Sequence, residues 1–311
     1  MFQLQYQLND IYRKYTDALG VKPAQVGRLE DIPFLPIQFF KNNTVSTTEF
    51  KPEIIFESSG TTGENISRHF VKYLSLYKKS FRDCFKIFYG NPADFCIIGL
   101  LPGYLERKNS SLVTMVHNLI LESENSNSGF YLYDHEKLYR ILIQNEFKKQ
   151  PTLLIGVTFA LIDFAEKYSI KLNCTTVMET GGMKGRKEEI TREEVHSFLR
   201  KKLGVKNIHS EYGMTELLSQ AYSGKDGIYR CPPWMKILIR EEDDPFAITK
   251  MAAEKRPAKG LLNVIDFANL YSCCFIATDD IGKLYHNGSF EISGRRDVSD
   301  LRGCSLLTAG E

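Results

Sequence analysis

Between about residue 50 and residue 225 the chain alternates short apolar runs with longer segments of helical period, and this alternation limits the folds open to it. "EIIFES" reads as a strand that runs directly into a loop. "FVKYLSLYKKSFRDCFKIFYG" has helical length and spacing, "FCIIGLLPG" reads as a buried strand ending in a turn, and "SSLVTMVHNLIL" as a helix. The same order recurs in "HEKLYRILIQNEFKKQ" (helix), "PTLLIGV" (strand), "TFALIDFAEKYS" (helix), "TTVMETGG" (strand to loop) and "TREEVHSFLRKKLG" (helix). Parallel strands need a long crossover, usually a helix, so this order predicts an α/β layered core with mixed, partly parallel sheets. Beyond about residue 225 short strands take over, "WMKILIR", "GLLNVIDF" and "FIATDDIGKLY", broken by glycine and acidic turns. They predict a β-rich subdomain over about 226–293 following α/β layers over about 1–225, with a hinge and short tail over 294–311. Residues 1–30 read as mostly helical, Pro33 and Pro36 make "DIPFLPIQFFK" extended, and "ESENSNSGF" at 122–130 reads as a polar surface loop.

At 311 residues and 43% hydrophobic content the chain can bury a sizeable core. Forty basic against thirty-eight acidic residues leave a net charge of +2, which gives no reason to expect nucleic acid or an anionic membrane as partner. Any anion must be met by a local site. The N-terminus lacks a basic segment followed by an apolar one, and no window approaches the roughly eighteen apolar residues of a membrane span. The expectation is a soluble cytoplasmic protein without stable membrane insertion. Seven cysteines without paired spacing fit a reducing compartment, and the adjacent Cys273 and Cys274 suit neither a CxxC pair nor a zinc knuckle.

The run Ser58, Ser59, Gly60, Thr61, Thr62, Gly63 follows the first strand directly. Such a loop offers free backbone NH groups and four hydroxyls in one place, and its glycines let the chain approach a charged ligand, so a chain of small net charge can grip phosphate with it. It is not a Walker A loop. Alone, a loop of this composition is an ordinary surface turn more often than a site, but it has companions: "SEYGMTEL" at 210–217, "IATDDIGKL" at 276–284 and "GRRDVSDLRG" at 294–303.

In this order and at these separations the four motifs resemble the signature of adenylate-forming enzymes, the superfamily of acyl-CoA synthetases, peptide-synthetase adenylation domains and firefly-type luciferases. The resemblance implies a Ser58–Gly63 loop around the β- and γ-phosphates of ATP. It implies Tyr212 near adenine with Gly213 in the same turn, Thr215 at the α-phosphate, Glu216 on Mg²⁺, and Gly181 and Gly182 as the adenine-side loop. Asp280 matches the acid that accepts the ribose hydroxyls, and Arg295 the arginine that reaches ribose or α-phosphate. The usual loop ends in Pro-Lys and this one does not; Arg68, or Lys184 or Arg186 near the second glycine loop, is the replacement cation. The chemistry fits the residues: a carboxylate has no leaving group at pH 7 until it attacks the α-phosphate of ATP, and two anions then need a clamp of Mg²⁺ and NH or cationic donors.

A narrower resemblance lies in "PFLPIQFFK", "ESSGTTG" with "SRH", "LLPGYLERKNSSLVTM", "ETGGMKG" and the terminal "LRGCSLL". Together these look like the LuxE-type acyl-protein synthetases of fatty-acid reductase complexes. That family passes the acyl group to a cysteine near the C-terminus, here Cys304, and on to a partner reductase. Arg302 beside it would favour the reactive thiolate. Full-length members of the wider superfamily continue past the hinge into a small mobile domain with a catalytic lysine; this chain ends soon after Gly294, so the expectation is that the domain is absent and that the segment around Asp297 swings Cys304 inward. The resemblance implies ATP and Mg²⁺, a carboxylic, in this family fatty, acid as substrate, and an acyl-acceptor protein, reductase or carrier, as partner. Two alternatives stay open: a coenzyme A ligase of the phenylacetate type, and a non-catalytic nucleotide- or acyl-binding subunit. Arg107, Ser110 and Ser111 could face the phosphates or merely begin a helix. His69, His117 and His209 read as structural because the substrate carboxylate needs no base, and Phe81, Phe85 and Phe88 read as core.

Overall fold

The computed structural model describes residues 1–58, 66–102, 109–181, 191–242, 247–249 and 256–296. Its strands, in chain order, are β1 (Leu35–Pro36), β2 (Ile54–Glu57), β3 (Arg68–Val71), β4 (Cys96–Leu100), β5 (Gly129–Phe130), β6 (Thr152–Val157), β7 (Thr175–Thr180), β8 (His209–Tyr212), β9 (Ala221–Ser223), β10 (Ile228–Arg230), β11 (Met235–Arg240), β12 (Ala258–Asp266), β13 (Phe275–Leu284) and β14 (Phe290–Arg295). The helices are α1 (Phe2–Leu8), α2 (Asp10–Ala18), α3 (Phe39–Asn42), α4 (Leu74–Tyr89), α5 (Ser111–Ser123), α6 (His135–Phe147), α7 (Thr158–Lys167) and α8 (Arg192–Leu203).

The predicted alternation produces a parallel ladder in the order β5-β4-β6-β7-β8, with α5, α6, α7 and α8 as its crossovers. β4 and β6 are buried along their whole length, as a strand covered on both faces must be, and so read as unbroken apolar runs. Past β8 the pairing turns antiparallel and one sheet continues through β9, β10, β14, β13 and β12 to β11, while β1 lies parallel on β13. The strands beyond residue 225 thus extend the same sheet edge to edge. Phe81 and Phe85 of α4 belong to the apolar cluster between the helices and the parallel ladder, and Phe88 packs against it; Tyr12, Phe34 and Phe275 centre a second cluster under the N-terminal helices. No helix among the described residues is long and apolar enough to cross a membrane.

Two expectations fail locally. The helix expected from residue 70 begins only at Leu74, because Arg68–Val71 pair back on β2 as a hairpin. The hydroxyl-rich loop therefore joins strand to strand, with the helix following afterwards. Within the polar stretch 122–130, Gly129 and Phe130 form β5 on β4, a strand too short for any periodicity to announce.

Candidate active site

In a parallel sheet the ends of the backbone ladder at the strands' carboxyl edge are where ligands gather. That edge here carries Leu100 of β4, Val157 of β6, Thr180 of β7 and Tyr212 of β8, and Gly181 and the Gly213–Glu216 turn follow the last two directly. Gly181 has φ of 65°, and Thr158 Oγ, in the first turn of α7, lies 2.9 Å from its carbonyl.

The β2–β3 hairpin reaches the same edge. His69, opposite Phe56 in the hairpin, is fully buried. Its Nδ1 lies 2.9 Å from the carbonyl of Thr215 and its Nε2 2.8 Å from Ser272 Oγ. A carbonyl only accepts, so Nδ1 carries the hydrogen and Ser272 donates to Nε2. Burial lowers the ring's pKa to about 4, which keeps this neutral tautomer. At the loop's base the Ser58 amide donates to Ser67 O and the Ser67 amide to Ser58 Oγ, both at 3.0 Å. The Ser58 hydroxyl oxygen thus closes the loop. Arg68 stands opposite Glu57, with Nε 3.5 Å from the carboxylate, and is more than half exposed, a pairing of little energetic weight.

The third part comes from the antiparallel strands. Tyr212 OH donates to Asp280 Oδ2 at 2.8 Å, and Asp280 sits directly across from Arg295 in the β13–β14 ladder. Burial, with Asp280 beside it, pushes the Tyr212 phenol far up, so it stays a donor. Neighbouring Asp279 accepts from Gln38 Nε2 at 2.7 Å, a contact that docks the proline-rich segment onto β13. Arg240, buried, spends its guanidinium on Leu262 O, Asn263 Oδ1 and Thr278 O.

The Gly213–Glu216 turn is held from beneath. Asn269 Nδ2 donates to the Glu216 carbonyl at 2.8 Å, and Asp266 accepts the Leu218 and Ser219 amides at 3.0 Å each, the Ser219 hydroxyl at 2.5 Å and the Ala268 amide at 2.9 Å. Burial still raises the Asp266 carboxyl to about 6 against these bonds. Glu179 and Glu211 enter from β7 and β8. Burial pushes Glu179 up, but His196 and the Arg192 guanidinium outweigh it and hold it low; Glu211, with Thr180 as its bonded partner, is raised to about 7 by burial.

Of the residues predicted from sequence, Tyr212 bonds Asp280, which has Arg295 across from it in the ladder, and the Thr215 carbonyl, next to Glu216, is joined by His69 to the strand leaving the hydroxyl loop. Ser59, Gly60, Thr61, Thr62, Gly63, Gly182, Lys184 and Cys304 lie outside the described residues, as do Arg107, Arg186, Asp297 and Arg302. Ser110 is the N-cap of α5, accepting from the Val113 amide. His117 stacks on Phe130, and His209 bonds Tyr89 OH. Sequence reasoning missed Glu211, Asp266, Asn269 and Arg240. The one signal for them was a charged or amide side chain inside an otherwise apolar strand, as with Asp266 in "GLLNVIDF".

Glu216 is a buried carboxylate with its backbone fixed, and an oxygen donor of this kind suits Mg²⁺. The described residues hold no group of three or more His, Cys, Asp or Glu able to cage a metal alone, so phosphate oxygens and water would complete the shell.

The fold has counterparts among solved structures. ATP-bound MatB from Rhodopseudomonas palustris aligns with a TM-score of 0.57 at 15% identity over 80% of this chain and 50% of that one. The luciferase-like enzyme of the nonluminescent Zophobas morio mealworm aligns at 0.52 and 16%, over 80% and 59%. O-succinylbenzoate coenzyme A synthetase (MenE) from Bacillus subtilis, in complex with AMP, aligns at 0.51 and 15%, over 78% and 49%. The chain spans about half the length of MatB and MenE. No curated protein matches it in sequence. The chain shares its fold with these enzymes. By sequence the chain belongs to the LuxE acyl-protein synthetase family, whose model it matches over residues 1–310.

Proposed function

We propose that this chain uses ATP to activate a carboxylic acid, in keeping with its family a fatty acid, and passes the acyl group to Cys304 and then to an acceptor protein, in the cytoplasm. The observation that carries the reading is the His69–Thr215 bond, which sets the hydroxyl loop's exit strand against the turn bearing Glu216. The substrate carboxylate oxygen attacks the α-phosphorus, the bond to the bridging oxygen breaks, and pyrophosphate leaves. Ser59–Gly63 hold the outgoing β- and γ-phosphates through NH and hydroxyl donors, and Thr215 the α-phosphate. Tyr212 and Gly181–Gly182 flank adenine, and Asp280 accepts the ribose hydroxyls with Arg295 beside it. Glu216 would hold Mg²⁺, which when bound would neutralise charge where phosphate and carboxylate repel. Arg68 or Lys184 supplies the cation that the usual loop lysine provides. In the second step the Cys304 thiolate attacks the acyl carbon, the acyl–oxygen bond breaks, and AMP leaves.

The test is intact mass after incubation with ATP, Mg²⁺ and a panel of fatty and aryl acids. The reading expects an added acyl group that maps to Cys304 and disappears in Cys304→Ala. Coenzyme A thioester formed undiminished by Cys304→Ala would favour the coenzyme A ligase instead, and nucleotide binding with no adenylate from any acid the non-catalytic subunit.

A further inference from the structure

Glu211 is an odd residue to bury at the end of a strand. Its nearest bond is from Thr180 Oγ to Oε2 at 2.5 Å, across the β7–β8 ladder in which Thr180 and Glu211 are partners. Thr180 is the residue before Gly181. The other carboxyl oxygen, Oε1, lies only 2.4 Å from where a Cβ on Gly213 would stand. A side chain on Gly213 would have to displace the Glu211 carboxyl. Gln220 flanks the same point, its Cγ 3.6 Å away, and its Oε1 is buried without a hydrogen-bond partner among the described residues.

We propose that Glu211 is a positioning residue that ties the end of β7 to Gly213 and so fixes Gly181 and Gly213, the two glycines between which the nucleotide lies. The proposal rests on the nucleotide reading of those glycines. A neutral acid accepts from Thr180 and keeps an O–H to give, and the Gln220 side chain, whose Cγ flanks Gly213, has an Oε1 with no donor among the described residues. The ion has nothing to give, and its buried charge repels that of Glu179 on the neighbouring strand. The titratable groups around it are Glu179 on β7, Tyr77, Cys84 and Tyr89 on α4, Tyr222 on β9 and Tyr229 on β10. Burial holds its pKa at about 7, above the ordinary carboxyl range, so the stability it confers is complete at low pH and is lost as pH rises through 7.

The experiment is Mg²⁺–ATP affinity by titration calorimetry on the full chain from about pH 6 to about pH 8.5, for wild type, Glu211→Gln and Thr180→Val. Wild-type affinity should fall about tenfold across the range while Glu211→Gln stays nearly flat. Thr180→Val removes a bond that favours the ion, so its fall should move to higher pH. A Glu211→Gln profile parallel to wild type overturns the role of Glu211 and leaves the nucleotide site standing. Wild-type protein that binds no ATP at any pH removes the site, and the proposal with it.

Discussion

At the scale of single residues, the site is held by polar groups that the sequence scatters. The Tyr-Gly-x-Thr-Glu motif and the hydroxyl loop are legible because each is contiguous and chemically unusual. Asn269 and Asp266 are not, since they act on a turn some fifty positions away and their neighbours in sequence are ordinary strand and turn residues. Removing Asp266 takes the acceptor from the buried Ser219 and Ala268 amides and from the Ser219 hydroxyl at once, while the Leu218 amide keeps Asn269 Oδ1. Asp266→Ala is therefore expected to lower unfolding free energy by about 3 kcal/mol or more in urea. Tyr212→Phe should leave the fold intact while raising the KM for ATP about tenfold, because the Asp280 carboxylate loses the phenol as one of its partners. His69 adds a pH dependence with a definite sign. Its ring is held neutral to about pH 4 in the fold but protonates near its ordinary value when unfolded, so its contribution is present above about pH 6.5 and is lost as pH falls to about 4. Wild-type melting temperature should lose ground to that of His69→Gln as pH is lowered through this window.

At the scale of elements, periodicity foretold the parallel ladder, its crossover helices and the buried strands β4 and β6, because long patterned segments carry that signal. Short elements escaped it: β5 has two residues, and β3 was absorbed into the helix that follows. What separates β3 from α4 is cross-strand pairing with β2, a non-local fact. The start of α8, by contrast, is written in the chain. Thr191 and Glu194 form a capping box, with the Thr191 hydroxyl accepting from the Glu194 amide and the Glu194 carboxylate from the Thr191 amide. This cap sets Arg192 where it reaches Glu179 and the Ile292 carbonyl of β14. Thr191→Ala should cost about 1 kcal/mol, measured by denaturant unfolding with an unchanged slope.

At the scale of the molecule, one sheet runs from β11 to β5, so the antiparallel strands carrying Asp280 and Arg295 are bonded rung by rung to the parallel strands carrying Gly181 and Tyr212. The sole tryptophan, Trp234, lies at this joint, donating toward Ser80 of α4 and Ser219 after the motif turn. Tryptophan fluorescence and far-ultraviolet circular dichroism should therefore report one coincident unfolding transition. The central claim is that the His69–Thr215 bond, joining the separate β2–β3 hairpin to the edge of this sheet, brings the hydroxyl loop and Glu216 to one magnesium-bound triphosphate poised against a carboxylic acid. ATP–pyrophosphate exchange measured against a panel of acids, in wild type and Glu216→Gln, tests it most directly. Exchange should require an acid and fall about a hundredfold or more in Glu216→Gln; no exchange with any acid, or exchange undiminished in the variant, would contradict a shared site.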